Sequence, residues 1–217
     1  MSPATSTMLP LGTPAPMFRL RDTDGHLISL QDLYEAPMLL IAVLCNHCPF
    51  VKHINADLIE FAKEYIPRGV AIVAINANDA EIEPQDSYER MKDQMIRQPY
   101  PFPYLYDETQ EAVKELRAVC TPEFYLFDDT RRLVYRGQFD DSRPSNGDAI
   151  SGKSLRDACD AMFADGEVDP DQKPSIGCGI KWKGGVAPDY TVPIHVVAGA
   201  LLNEAAQHEA VRAAVNS

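Results

Sequence analysis

An α/β fold with a mixed central β-sheet flanked by helices is what this sequence predicts, and three observations lead there. Residues 38–44 (MLLIAVL) and 70–75 (VAIVAI) are continuous apolar runs, the pattern of strands buried on both faces. Between them Ile54, Leu58, Phe61, Ala62 and Tyr65 recur at helical spacing. Later, residues 124–127 and 133–135 flank Asp128-Asp-Thr-Arg131, a hairpin-like turn that adds an antiparallel edge.

The elements follow in order. Residues 1–16 contain Pro3, Pro10, Pro14 and Pro16 and read as an extended entry segment. Residues 17–20 and 27–30 flank Asp22-Thr-Asp-Gly25, a turn signal between two short strands. After the first buried strand, Pro49 fits the first turn of a helix, where its missing N–H costs nothing. That helix runs to about Ile66 and is stopped by Pro67 and Gly69. A second helix is expected over 87–98, with Tyr88, Met91 and Met95 on one face. A third is expected over 109–119, opened by Thr109 as N-cap, with Ala112, Leu116 and Val119 inward. The last helix, 154–163, carries Leu155, Cys159, Met162 and Phe163 on one side. Residues 165–182 are polar and aperiodic and read as an extended tail wrapping the domain. We therefore expect one domain over 1–185 and an extension over 186–217. A helix over 192–215 in that extension would pack on the domain or on a partner chain, which leaves a homodimer among the expectations.

Composition narrows the function classes. A chain of 217 residues, 45% hydrophobic and 24% charged, can bury one sizeable core. Its net charge of −12 repels phosphate backbones and anionic lipid headgroups, so neither nucleic acid nor membrane is an expected partner. The N-terminus lacks a basic segment followed by an apolar one, and the longest apolar run, 38–45, is too short to span a bilayer. A cytoplasmic, reducing environment is the resulting expectation. Five cysteines there argue for a reactive pair rather than a structural scaffold.

The chemistry concentrates in Cys45-Asn-His-Cys48-Pro49. A Cys-x-x-Cys is either half of a zinc site or a redox pair at a strand-to-helix junction. No second Cys-x-x-Cys or His-x-x-x-His completes a metal site, so no metal and no other cofactor are expected. A buried strand ends just before Cys45 and a helix opens at Pro49. A thiol near the helix N-terminus is favoured as thiolate. Cys45 is expected to be the exposed attacking thiol, and Cys48, one turn on, the resolving one. His47, between them, would stabilise a thiolate as a cationic or donor imidazole. Thr121-Pro122, just before a strand, is a candidate cis peptide. Cys178, between Gly177 and Gly179, is a candidate third redox thiol. Cys120 could lie near the site. Cys159 belongs to the core.

The order Gly12-Thr-Pro-Ala-Pro16-Met-Phe18, Asp24-Gly25, buried strand, Cys45-Asn-His-Cys48-Pro49, Thr121-Pro122 and Phe124-Tyr-Leu-Phe-Asp128 resembles the thioredoxin superfamily. More narrowly it resembles the peroxiredoxin-like (AhpC/TSA-type) thioredoxin-fold proteins. Phe50-Val-Lys52, Asp141-Ser-Arg-Pro144 and Ser175-Ile-Gly-Cys-Gly-Ile-Lys-Trp182 look like marks of one subgroup. The resemblance implies a thioredoxin-like fold, a cis Pro122 facing Cys45 and Cys48, and Thr121 offering a backbone edge to an extended substrate. Two departures stand out. In the peroxiredoxin pattern Pro-x-x-x-Thr-x-x-Cys, aligned on Cys48, Ile41 and Cys45 take the Pro and Thr positions. In the thioredoxin pattern, Leu39 takes the place of the buried Asp, which leaves Glu123 or His47 as candidate proton acceptor. The leading expectation is a thiol–disulfide oxidoreductase acting on a protein or small-molecule thiol and recycled by an electron-donor dithiol. The alternatives are a thiol peroxidase, and a non-catalytic metal-binding or redox-sensing module.

Overall fold

The computed structural model describes residues 3–164 and 166–191. The chain divides into two compact units, Met1–Val186 and Ala187–Ser217; in the second, the described residues include one 3-10 turn at Asp189–Thr191. The helix expected over 192–215 lies outside the described residues.

The first unit holds a seven-stranded mixed sheet. Its strands are β2 (Arg19–Asp22), β3 (Leu27–Ser29), β4 (Met38–Val43), β5 (Val70–Asn76), β6 (Tyr104–Tyr106), β8 (Glu123–Phe127) and β9 (Leu133–Gly137), in the order β3-β2-β6-β5-β4-β8-β9. The centre β6-β5-β4 is parallel, and β8, β9, β2 and β3 add antiparallel flanks. This is the mixed sheet that the apolar runs predict. All six residues of β4 are buried because the strand is covered on both faces. Leu40 and Ala42 point to one face and join Ile54, Leu58 and Phe61 of α1 (Pro49–Tyr65) and Leu155 and Cys159 of α4 (Lys153–Phe163) in one cluster. Leu39, Ile41 and Val43 alternate to the other face and are equally inaccessible.

Helix α1 stops as expected. The chain tightens into a 3-10 turn at Ile66–Arg68 and closes with Gly69 at φ 106°, the left-handed conformation that glycine adopts without strain. Helix α2 (Tyr88–Arg97) is capped by the Ser87 hydroxyl, which accepts from the Arg90 N–H. The helix expected over 109–119 is shorter, α3 (Glu111–Glu115), and Thr109 does not cap it. Gln110 at φ 64° opens it and Arg117 at φ 51° turns the chain away. The cap is the carboxylate of Asp107, which accepts from the Val113 N–H at 3.1 Å and from the Thr109 hydroxyl at 3.2 Å.

A second, three-stranded sheet has the order β1-β10-β7, from β1 (Ala4–Thr5), β7 (Cys120–Thr121) and β10 (Ile176–Gly179). The polar tail read as an extended wrap therefore supplies the middle strand of this sheet. Strand β10 pairs antiparallel with β7, Cys178 opposite Thr121 and Gly179 opposite Cys120, and with β1 on its other side.

Candidate active site

The Cys45-Asn-His-Cys48 loop joins β4 to α1. Pro49 is the first residue of α1 and Cys48 its N-cap. Cys45 thus sits three residues before the N-cap, not at the helix N-terminus. Nor is Cys45 exposed as the sequence led us to expect: its relative accessibility is 2% and that of Cys48 is 0%. Hydrophobic burial of β4 extends through Leu44 into the loop and carries both thiols with it. Cys45 lines the floor of a cleft of about 510 Å³, bordered by Lys52, Asn55, Gln94, Arg97 and Tyr100. All five cysteines are free thiols.

Both sulfurs converge on Thr121. Cys45 Sγ lies 3.1 Å from Thr121 Oγ1, and the Cys48 thiol donates to the Thr121 carbonyl at 3.1 Å. The Thr121-Pro122 peptide is cis, in line with the expectation. Cys178 reaches the same place from β10, packing against the cluster that holds Cys45 and Cys48 and interacting with the Cys48 sulfur.

Among these thiols the acidity is uneven. Cys48 is held well below the ordinary thiol range, first by the Cys178 thiol and then by the Cys45 thiol, both turned toward its sulfur; burial opposes this, and the Val51 N–H and the Thr121 side chain reinforce it. Its place at the N-cap of α1 adds the helix dipole to the same side. Burial pushes Cys45 well above that range, with Cys48 and the charge of Asp86 adding to the effect. Cys178 is also raised, chiefly by Cys48. Of the three thiols, Cys48 is the one whose surroundings favour the thiolate, whereas the sequence pointed to Cys45.

The loop between the cysteines is fixed by Asp86, a wholly buried carboxylate that the sequence reading missed. Its Oδ1 accepts from the backbone N–H groups of Asn46 at 2.7 Å and His47 at 3.2 Å. Its Oδ2 takes the Asn78 amide at 2.6 Å and His47 Nδ1 at 2.5 Å. The Asn46 side chain donates to Gln85 O and accepts from the Tyr104 hydroxyl. No local signal marks Asp86, because the loop it fixes lies 39 and 40 positions away and its nearer partner, Asn78, is 8 positions back.

His47 Nδ1 also lies 3.6 Å from Cys45 Sγ. The shorter contact gives the Nδ1–H to Asp86, so the ring does not relay a proton from Cys45 to Asp86 through its two nitrogens. Asp86 raises the pKa of His47, by hydrogen bond and by charge, against the effect of burial; Glu83, 3.9 Å from Nε2, adds to it. A protonated His47 places positive charge beside Cys45.

Ligand atoms of Cys45, His47 and Asp86 lie within 4.8 Å of one another, as do those of Asp22, Asp24 and His26, close enough to share an ion. In the first group each atom is engaged by protein hydrogen bonds. In the second, Asp22 Oδ1 closes its own turn by accepting from the Asp24 and His26 N–H groups.

Glu123 is buried, and desolvation lifts its carboxyl to about 7. It accepts from the Val119 N–H at 3.0 Å and from the Cys120 thiol at 3.8 Å, which places it behind Cys120. Cys120 is buried and its pKa is raised by that burial. Cys159 lies in the core, as expected.

Among the described residues no helix is long and apolar enough to cross a membrane. No curated protein matches the chain. A solved uncharacterized conserved protein from Geobacillus kaustophilus is 51% identical, with a TM-score of 0.83, over 86% of this chain and 99% of that one. A hypothetical protein from Sinorhizobium meliloti 1021 is 46% identical, TM-score 0.82, over 84% and 100%. The thioredoxin domain of a thiol-disulfide oxidoreductase from Bacteroides vulgatus shares the fold at 17% identity, TM-score 0.51, over 60% and 89%. The model of the AhpC/TSA family matches residues 11–136, more than half of the sequence. That match supports a redox function on a thioredoxin-like fold. The protein belongs to the AhpC/TSA family.

Proposed function

We propose that the protein is a thiol–disulfide oxidoreductase in which Cys45 and Cys48 alternate between dithiol and disulfide. The observation that carries this reading is the meeting of both sulfurs at Thr121, one on its hydroxyl and one on its carbonyl. Cys48 supplies the thiolate and attacks a disulfide; Cys45, beside it, resolves the mixed disulfide and leaves Cys45–Cys48. Asp86 holds the loop so that the two thiols stay together, and His47 offers charge to the Cys45 sulfur as it loses its proton.

The test is a dithiothreitol redox titration of the wild-type protein with Cys45→Ser and Cys48→Ser variants. The expected result is a single two-electron transition in the wild type that both substitutions abolish. Independent one-thiol behaviour of each cysteine, with no common transition, would overturn the reading.

One observation favours a second reading, a thiol peroxidase: the acidic thiol is Cys48, which the peroxiredoxin pattern aligns with its reacting cysteine. Peroxide would convert the Cys48 thiolate to sulfenic acid with release of hydroxide, and a neighbouring thiol would then condense with it to a disulfide, releasing water. Stopped-flow reaction with hydrogen peroxide separates the two; a rate no better than that of free cysteine excludes the peroxidase.

A further inference from the structure

We propose that Cys178 is the relay thiol of this site, and that strand β10 acts as a built-in substrate strand which carries electrons between the buried Cys45–Cys48 pair and an external disulfide. The inference rests on the dithiol reading above and adds to it the route by which that pair meets its partner.

Three observations carry it. First, the backbone edge at Thr121, beside both sulfurs, is occupied by the chain itself: β10 pairs with β7 in the antiparallel register that sets Cys178 opposite Thr121, and Ile180 N–H continues the ladder to Val119 O at 3.0 Å. An extended substrate laid on that edge would present its cysteine where Cys178 now stands. Second, the approach is tight and depends on composition. A Cβ at position 177 would lie 2.0 Å from Thr121 O, so glycine is required for β10 to run this close. Third, accessibility is graded. Cys45 and Cys48 are buried, whereas Cys178 is half-buried, stands opposite Thr121, whose carbonyl accepts from the Cys48 thiol, and packs against the cluster that holds both cysteines. Among the three thiols it is the one with a face to solvent.

The sequence of exchanges balances. The Cys178 thiol, its proton drawn off by the Cys48 thiolate, attacks an external disulfide RS–SR′, forming Cys178–S–R and releasing R′S⁻, which takes that proton from Cys48. The Cys48 thiolate attacks Cys178 Sγ, forming Cys48–Cys178 and releasing RS⁻. The Cys45 thiolate then attacks Cys48 Sγ, forming Cys45–Cys48 and returning Cys178 as thiolate. Two electrons pass from the Cys45/Cys48 pair to RS–SR′, and the protons of Cys178 and Cys45 are taken up by the two released thiolates.

The experiment uses the full chain, reduced and then mixed with oxidised glutathione, with acid quenching and mapping of disulfides by peptide mass. In Cys45→Ser, Cys48–Cys178 is expected as the main product. In Cys178→Ala and Cys178→Ser, formation of Cys45–Cys48 is expected to slow at least tenfold. In the wild type, Cys48–Cys178 should rise before Cys45–Cys48. If the Cys178 variants form Cys45–Cys48 at the wild-type rate, the relay is overturned and the dithiol reading stands, the cleft at Cys45 then being the entry route. If the wild type forms no Cys45–Cys48 disulfide at all, the relay falls together with the dithiol reading. If Cys45→Ser accumulates Cys48 bound to glutathione instead of Cys48–Cys178, the relay is likewise overturned.

Discussion

Strand β4 in the seven-stranded sheet reads Met-Leu-Leu-Ile-Ala-Val; strand β10 in the three-stranded sheet reads Ile-Gly-Cys-Gly. The first is held by apolar side chains packed on both faces. The second is held by main-chain hydrogen bonds and by the absence of a side chain at Gly177. Both border the same thiols: β4 delivers Cys45 and Cys48, and β10 delivers Cys178. Side-chain burial makes one wall of the site, while the other is a short strand seated through its backbone.

The largest effect on stability should follow from hollowing the first wall. Leu40→Ala in β4 leaves a cavity between α1 and the sheet, and such truncations cost about 2–5 kcal/mol. Urea unfolding of the reduced protein measures it. A loss below about 1 kcal/mol would mean that this wall is less tightly packed than the burial of Leu40 indicates.

Next comes a pH effect at Glu123, the first residue of β8, where the chain leaves the three-stranded sheet for the seven-stranded one. Its carboxyl is lifted from an ordinary value of 4.5 to about 7 by burial. Below pH ~4 it is neutral folded and unfolded, and burial costs nothing. Between pH ~4.5 and ~7 the unfolded chain gives up the proton first, so stability falls as pH rises, then levels off. At about 1.4 kcal/mol per pH unit the loss is roughly 3 kcal/mol. Glu123→Gln, whose amide oxygen still accepts from the Val119 N–H, should match the wild type near pH 4.5 and exceed it at pH 8. Equal unfolding free energies at both pH values would remove the buried-acid account.

The second wall can be probed at two glycines two residues apart. Gly177→Ala drives a methyl into Thr121 O, 2.0 Å away, and overpacking of that kind costs about 1–3 kcal/mol. It should also loosen β10 and speed iodoacetamide alkylation of Cys48 severalfold. At Gly179 the same methyl meets Ala4 Cβ at 3.9 Å and Val119 O at 4.0 Å, ordinary contacts, so Gly179→Ala should leave both readouts close to wild type. If the two variants behave alike, the tight approach at Gly177 is not what seats β10.

The contrast between the walls also explains what was legible in the sequence. β4, β5 and α1 announce themselves because each buries enough apolar surface to imprint a period on its own residues. The site residues that lie on them or next to them, Cys45, His47 and Cys48, were legible for the same reason. β1, β6, β7 and β10 are two to four residues long, too short for a period, and exist because distant segments pair. Asp86 was silent because a buried carboxylate is defined by its partners, and Asn46 and His47 come from a distant loop while Asn78 lies eight residues back in its own. The burial of Cys45 was missed because a loop next to a buried strand inherits that strand's cover, which the residue types in the loop do not reveal.

The smallest effect expected is at His47, whose ring ties the loop between Cys45 and Cys48 to the 78–86 loop. Asp86 raises the folded-state pKa of His47 above its ordinary value of 6.5. The stabilisation is therefore fully present below pH ~6.5 and is lost as pH rises through the raised folded value. His47→Gln should cost about 1 kcal/mol at pH 6, the scale of one hydrogen bond to a charged partner, and less at pH 9. Because the short Nδ1 contact goes to Asp86 and the long one to Cys45, stability should respond through the loop, while Cys45 keeps its contact with Thr121 Oγ1. The same variant therefore separates two roles for the imidazole. If His47 acts by positioning, Cys45–Cys48 still forms in His47→Gln, with a rate that no longer changes with pH over the histidine's titration. If it acts as the proton acceptor of Cys45, the rate collapses at every pH while the stability difference stays small, a pattern the 2.5 Å bond to Asp86 argues against.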